Sequence, residues 1–121
     1  MIGIGVDAVE VGRFREVLAR TPGFASRVFT AEEMASLADR SDPAPSLAAR
    51  FAAREATMKV LGVGLGAFDL RDVSVDRTEG GAPQLIVRGR AERLASERGV
   101  SKWFVSLTHT DGVAMAMVAA E

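Results

Sequence analysis

Between Leu47 and Leu61 the chain carries alanine at 48, 49, 52, 53 and 56, the best helix former, and closes on Gly62 in a C-cap position. Leu47, Phe51 and Met58 share one helical face while the alanines cover much of the remainder, so the segment is apolar nearly all round. A helix of that kind is buried on several sides, and the rest of the fold must wrap around it. Four charges interrupt it, Arg50, Arg54, Glu55 and Lys59, and each needs a reason to be there. The run falls short of the ~20 apolar residues that cross a bilayer.

With 121 residues the chain is expected to form a single domain, residues 1–121, around one core. Hydrophobic residues at 48% and charged residues at 26% exclude a disordered or fibrous chain. There is no cysteine, which removes disulfides, thiolate metal sites and cysteine nucleophiles. A net charge of −1 gives no global attraction for nucleic acid or an anionic membrane, so neither is expected as a partner. The start, Met1 through Val6, has no basic stretch followed by a long apolar one, and the expected location is cytoplasmic.

Around the central helix the pattern predicts a strand over 2–6 ended by Asp7, a helix from Val11 to Arg20, and a short helix from Thr30 to about Asp39. That second helix opens on a capping box, Thr30 with Glu33. The prolines at 43 and 45 predict a loop over 41–45. Beyond Gly62, Val73 and Val75 alternate, Gly80 and Gly81 turn the chain, and Leu85 to Val87 resume an extended pattern. A helix over 89–98 and two strands, about 102–108 and 113–119, flank a turn at His109–Gly112. The order β-α-α-α-β-β-α-β-β predicts an α+β fold, with helices on one face of a largely antiparallel sheet.

Several residues could carry chemistry. Asp7 follows a buried-type strand, where it is either a turn residue or a ligand. Glu55 and Lys59 stand four apart, in the favourable order for an intrahelical pair, or else they form a metal ligand beside a phosphate-binding lysine. Oxygen donors suit Mg²⁺, which is held by one or two carboxylates plus substrate phosphates, and Asp7 with Glu55 supply that count. His109 is the only histidine, either a structural turn residue or a group free for a phosphate or a proton. Gly62, Gly64 and Gly66 follow a helix, which rules out a dinucleotide fingerprint but leaves backbone N–H groups able to approach phosphate oxygens. Arg13, Arg15, Arg20 and Arg27 form a confined basic patch, a solvated face or a dock for an acidic partner.

Taken together the residues resemble the holo-[acyl-carrier-protein] synthase family, the small class of 4′-phosphopantetheinyl transferases. Three segments carry the likeness: Gly3-Ile4-Gly5-Val6-Asp7 with Glu10 and Arg13; Arg50-Phe51-Ala52-Ala53-Arg54-Glu55-Ala56 with Lys59 and Gly62; and Ser106-Leu107-Thr108-His109-Thr110. Phe24 through Thr30 also looks like the family's segment after the first helix. Arg54 departs from the family, which often has lysine there.

The resemblance implies transfer of phosphopantetheine from coenzyme A to a serine of apo acyl carrier protein, with release of 3′,5′-ADP, in fatty acid biosynthesis. It implies Mg²⁺ on Asp7 and Glu55, catalytic roles for Glu55, Lys59 and His109, and coenzyme A contacts from Arg50, Lys59, Gly62, Gly64 and His109. The base that activates the serine stays open between Glu55 and a water on the metal. Arg13, Arg20 and Arg27 would receive the carrier protein, and the chain would assemble as a homotrimer with sites between subunits.

Overall fold

The apolar run forms helix α4, Ala44–Leu61, in a computed structural model that describes all 121 residues. Its alanines 48, 52, 53 and 56 have no exposed surface, so the expectation of burial on several sides holds. The helix starts earlier than the prolines suggested. Pro43 stands at its N-cap and Pro45 in its first turn, where a backbone N–H has no helical acceptor to lose. At the other end Gly62 takes a left-handed conformation, φ 68°, and closes the helix.

Strands β1 (Gly3–Glu10), β4 (Trp103–His109) and β5 (Val113–Ala120) form an antiparallel sheet in the order β1-β5-β4. Helix α4 crosses one face of it, and the sequence of β1 explains how closely. A Cβ added at Gly5 would lie 2.2 Å from the Ala56 carbonyl oxygen, and one at Gly3 would lie 3.0 Å from that of Val60. At Gly5 only glycine fits, while at Gly3 a Cβ would need the helix to give by a few tenths of an ångström. Strand β5 meets the helix with Ala114, Ala116, Val118 and Ala120, all buried, and so keeps the approach close over the whole contact.

A second antiparallel pair, β2 (Val73–Arg77) with β3 (Pro83–Val87), turns at the expected glycines, Gly81 having φ 85°. It leads into α5 (Gly89–Glu97), and Ala91 and Ala95 of that helix join Val73, Val75, Leu85, Met58 and Leu61 in one cluster of buried residues. Helices α1 (Val11–Arg20), α2 (Phe24–Val28) and α3 (Ala31–Ser36) close over the N-terminal half of α4. There the Phe14 ring meets Phe24, Phe29 and Phe51 at centroid distances of 5.6 to 6.3 Å.

The α+β class stands, with five corrections. The strands form two sheets rather than one. Asp7 does not end β1, because pairing with β5 continues to Glu10 opposite Val113. His109 is the last residue of β4, paired with Ala114, and the turn begins after it. Helix α3 stops at Ser36 instead of Asp39, and α2 was not anticipated at all. Five residues ending in buried Val28 are too few for periodicity to reveal.

Beneath these helices lies a buried ion pair. Arg54, 0% exposed, reaches both carboxylate oxygens of Glu33 at 2.5 and 3.1 Å, and its Nε donates to the Leu70 carbonyl at 2.8 Å. Glu33 also accepts from the Thr30 N–H, completing the anticipated capping box, and from the Val75 N–H at 3.0 Å. Every strong acceptor and nearly every donor is used, the condition under which a buried pair is tolerated. The outer face of the three-stranded sheet, by contrast, is uncovered: Ile4, Val6, Phe104, Val113, Met115 and Met117 are all exposed. No helix is long and apolar enough to cross a membrane.

Candidate active site

The glycine approach that seats α4 on β1 also builds the site. Gly3, Gly5 and Asp7 occupy successive helix-facing positions of the strand, so Asp7 is the first of them to carry a side chain toward α4. Glu55 and Lys59 lie one turn apart on the helix. Lys59 Nζ crosses to β1, donating to the Val6 carbonyl at 2.8 Å and to Asp7 Oδ1 at 3.3 Å. Glu55 has no ion pair. The intrahelical Glu55–Lys59 pair is therefore not made; Lys59 is drawn to Asp7 instead.

Burial pushes the Glu55 carboxyl above the usual carboxylate range, the charge of Asp7 pushes it further, and Lys59 opposes both. The two acids thus sit close enough to feel each other. No group of three or more His, Cys, Asp or Glu side chains gathers anywhere in the chain. A half-withdrawn carboxylate whose charge is disfavoured by burial and by a neighbouring acid is relieved by a hard divalent cation completed by water and phosphate oxygens. The donor set fits Mg²⁺ in that sense.

His109 does not join this group within one chain. It lies on β4, separated from Asp7 on β1 by strand β5, about 10 Å across two strand spacings. It borders a cavity of about 310 Å³ with Arg40, Ser46, Arg77 and Thr108. An adjoining cavity of about 200 Å³ is lined by Arg40, Arg50, Arg77, Ser36 and Asp76. Arg50 is 3% exposed, donates from Nη1 to the Ser46 carbonyl at 3.3 Å, and leaves its Nε without a partner. Burial draws its guanidinium below the ordinary range, Glu33 opposes, and Arg77, Arg40 and Arg54 lower it again. Cations crowded in this way favour an anionic guest.

Sequence reasoning found Arg50 and His109 but missed Arg40 and Arg77. One signal was present: Arg50 sits in an apolar helix with Ser46 and Arg54 as its i±4 neighbours and no acid to pair with. Nothing local marks Arg40, in the loop after α3, or Arg77, at the end of β2, as its companions.

Gly62 and Gly64 stand at the C-terminal end of α4, where an added Cβ would meet nothing within 4 Å, so no protein group crowds their backbone. Arg13, Arg20 and Arg27 are exposed. Arg13 rims a groove of about 300 Å³ with Ala8, Val9, Glu10, Phe14 and Val17, and Arg20 lies about two turns further along α1. Arg27 is carried separately on α2. Arg15, the remaining member of the patch, is held by Asp42.

Comparison with known proteins gives a consistent family. The family model described as the 4′-phosphopantetheinyl transferase superfamily matches residues 3–118. The holo-[acyl-carrier-protein] synthase of Frankia casuarinae is 48% identical over all of this chain and 98% of its own length. The crystal structure of the holo-[acyl-carrier-protein] synthase of Neisseria meningitidis superposes with a TM-score of 0.87 at 32% identity, covering 100% of this chain and 99% of that one. The Bacillus anthracis synthase, solved in complex with CoA (3′,5′-ADP), gives 0.81 at 27% identity over 98% and 95%.

Proposed function

The chain belongs to the 4′-phosphopantetheinyl transferase superfamily and, within it, to the holo-[acyl-carrier-protein] synthases; from that premise we propose that it transfers 4′-phosphopantetheine from coenzyme A to a serine of apo acyl carrier protein. The serine oxygen forms a bond to the β-phosphorus of coenzyme A, the bond to the α-phosphate breaks, and 3′,5′-ADP leaves with the electron pair. The serine proton passes to a base. Such a reaction brings a neutral hydroxyl to a polyanion, so alignment and charge neutralisation dominate its barrier.

The observation that carries this reading is the convergence of Asp7, Glu55 and Lys59 across the glycine contact between β1 and α4. In the proposal Asp7 and Glu55 hold Mg²⁺, which supplies Lewis acidity and neutralises pyrophosphate oxygens when bound. Lys59 stabilises the departing phosphate. The base stays open between Glu55 and a water beside it. Arg50 and His109, with Arg40 and Arg77 beside them, hold another phosphate of coenzyme A, and Gly62 and Gly64 offer open backbone next to Lys59.

The same proposal treats residues 1–121 as one domain acting in the cytoplasm, in fatty acid biosynthesis, as a homotrimer. The uncovered apolar sheet face supports assembly, and the roughly 10 Å between the acidic group and His109 supports a site shared between subunits. Arg13 and Arg20, with Arg27 beyond them, receive the acidic carrier protein on the α1 side.

The test is direct. Incubation with apo carrier protein, coenzyme A and Mg²⁺ is expected to add one phosphopantetheine mass to the carrier, and Glu55→Gln is expected to abolish the addition while melting close to the wild type, since Glu55 has no ion pair to lose. Failure of the wild type with several carriers, or release of free phosphopantetheine to water, would overturn the reading.

A further inference from the structure

Lys59 makes contacts that a phosphate-binding lysine has no need of. Its ammonium is more than half exposed, yet it is anchored by the Val6 carbonyl at 2.8 Å and by Asp7 Oδ1 at 3.3 Å, while the Asp7 side chain is only 21% exposed. The anchor is reached because Gly5 lets the helix approach until a Cβ there would stand 3.1 Å from Lys59 Cβ. Glu55, the other acid of the site and one turn away on the same helix, is left without any ion pair. One cation therefore already occupies one of the two carboxylates, on a tether that can swing away.

We propose that Lys59 is the resident counter-cation of Asp7, displaced when a divalent ion binds and drawn off by a diphosphate, so that it couples metal binding to coenzyme binding. This rests on the proposed role of Asp7 and Glu55 as the metal pair. Without an anionic ligand, a divalent ion must expel the ammonium from Asp7 and strand it beside two positive charges. A diphosphate gives Lys59 a new partner and removes that penalty. By linkage, each ligand then raises the affinity for the other, and the residue responsible is Lys59. The arrangement keeps the acids from remaining metal-loaded when no coenzyme is present.

Titration of Mn²⁺ into the intact protein, followed by the electron paramagnetic resonance of the free ion, tests this without reference to activity. With no coenzyme, Lys59→Gln is expected to bind Mn²⁺ about fivefold more tightly than the wild type, the upper scale of an exposed, water-screened ion pair. Lys59→Arg, which keeps the charge, is expected to stay near wild-type affinity. Coenzyme A is expected to tighten Mn²⁺ binding to the wild type, and to tighten it several-fold less in Lys59→Gln. Equal or weaker Mn²⁺ binding by coenzyme-free Lys59→Gln, with Asp7→Asn still abolishing it, would sink the exchange while leaving the metal pair intact. No Mn²⁺ binding by any form, with or without coenzyme A, would sink the metal pair and the exchange together.

Discussion

At the scale of single residues, the site depends on a side chain that is missing. Gly5 has no catalytic atom, yet the proposed pairing of Asp7 with Glu55 requires α4 to lie against its backbone, with a would-be Cβ 2.2 Å from the Ala56 carbonyl oxygen. No rotamer relieves a contact between a Cβ and a backbone oxygen; the helix must move. Gly5→Ala is expected to lower stability by roughly 3 kcal/mol, in the range of overpacked cores, and to reduce transfer more than binding of carrier protein. Gly12, on the exposed side of the first turn of α1 with nothing within 4 Å, is the control: Gly12→Ala is expected to raise stability by up to about 0.5 kcal/mol through helix propensity. Thermal melts of the two variants check both signs. A second residue-scale prediction concerns Arg13, exposed at the rim of the groove on α1. Arg13→Glu is expected to raise KM for carrier protein about tenfold and leave KM for coenzyme A within twofold, because reversing one rim charge acts mainly on encounter and register. Steady-state kinetics with each substrate varied in turn separates docking from a general loss.

At the scale of elements, Glu33 and Arg54 join four segments: α3 through its cap, α4 through Arg54, β2 through the Val75 N–H, and the 3-10 turn at Leu70–Asp72 through the Leu70 carbonyl. Burial pushes the Glu33 carboxyl up, but the hydrogen bonds and charge of Arg54, with the Thr30 and Val75 N–H groups, outweigh burial and hold it below its ordinary 4.5. A carboxyl lowered in the folded state stabilises the fold above the unfolded value and loses that contribution as pH falls through the folded one. Glu33→Gln is therefore expected to lose about 3 kcal/mol near pH 7, and the gap to the wild type should narrow below about pH 4.5. Urea unfolding across that range measures it; a gap constant down to pH 3 would assign the loss to shape instead of charge. This knot also marks how far the sequence could be read. The capping box at Thr30 was legible because it is local, and α4 was legible because its composition admits no other element. That the same Glu33 reaches forward to Arg54 was not, since the pairing spans 21 residues and depends on α2 and α3 folding back over α4. The pairing of Asp7 with Glu55 was expected from composition and resemblance, but its physical cause was not visible: it lies in Gly3 and Gly5 facing the helix, which follows from the continued pairing of β1 with β5.

At the scale of the whole molecule, α4 divides the sheet into a covered and an uncovered face, and only the first is explained by one chain. Small residues line the covered side of β5, while its other side alternates Val113, Met115 and Met117, all exposed beside Ile4 and Val6 of β1 and Phe104 of β4. A contiguous apolar face of this kind is rare on a protein that works alone. Within one chain the sheet carries the Asp7 group at one edge and the cavity of His109, Arg40 and Arg77 toward the other. In the proposed trimer this uncovered face is where copies meet, and the site is shared between them. Light scattering of the wild type is then expected to give three times the 12.8 kDa chain mass. Met117→Asp, a charge at the centre of the uncovered face, is expected to give monomers that keep their helical content, since its helix-facing neighbours Ala116 and Val118 are untouched. In those monomers transfer should fall by about a hundredfold, the scale of losing alignment between reacting groups, with Mn²⁺ binding to the acidic pair preserved. A monomeric variant with full activity would mean that both halves of the site are used within one chain despite their separation, and would leave the apolar face without a role in catalysis.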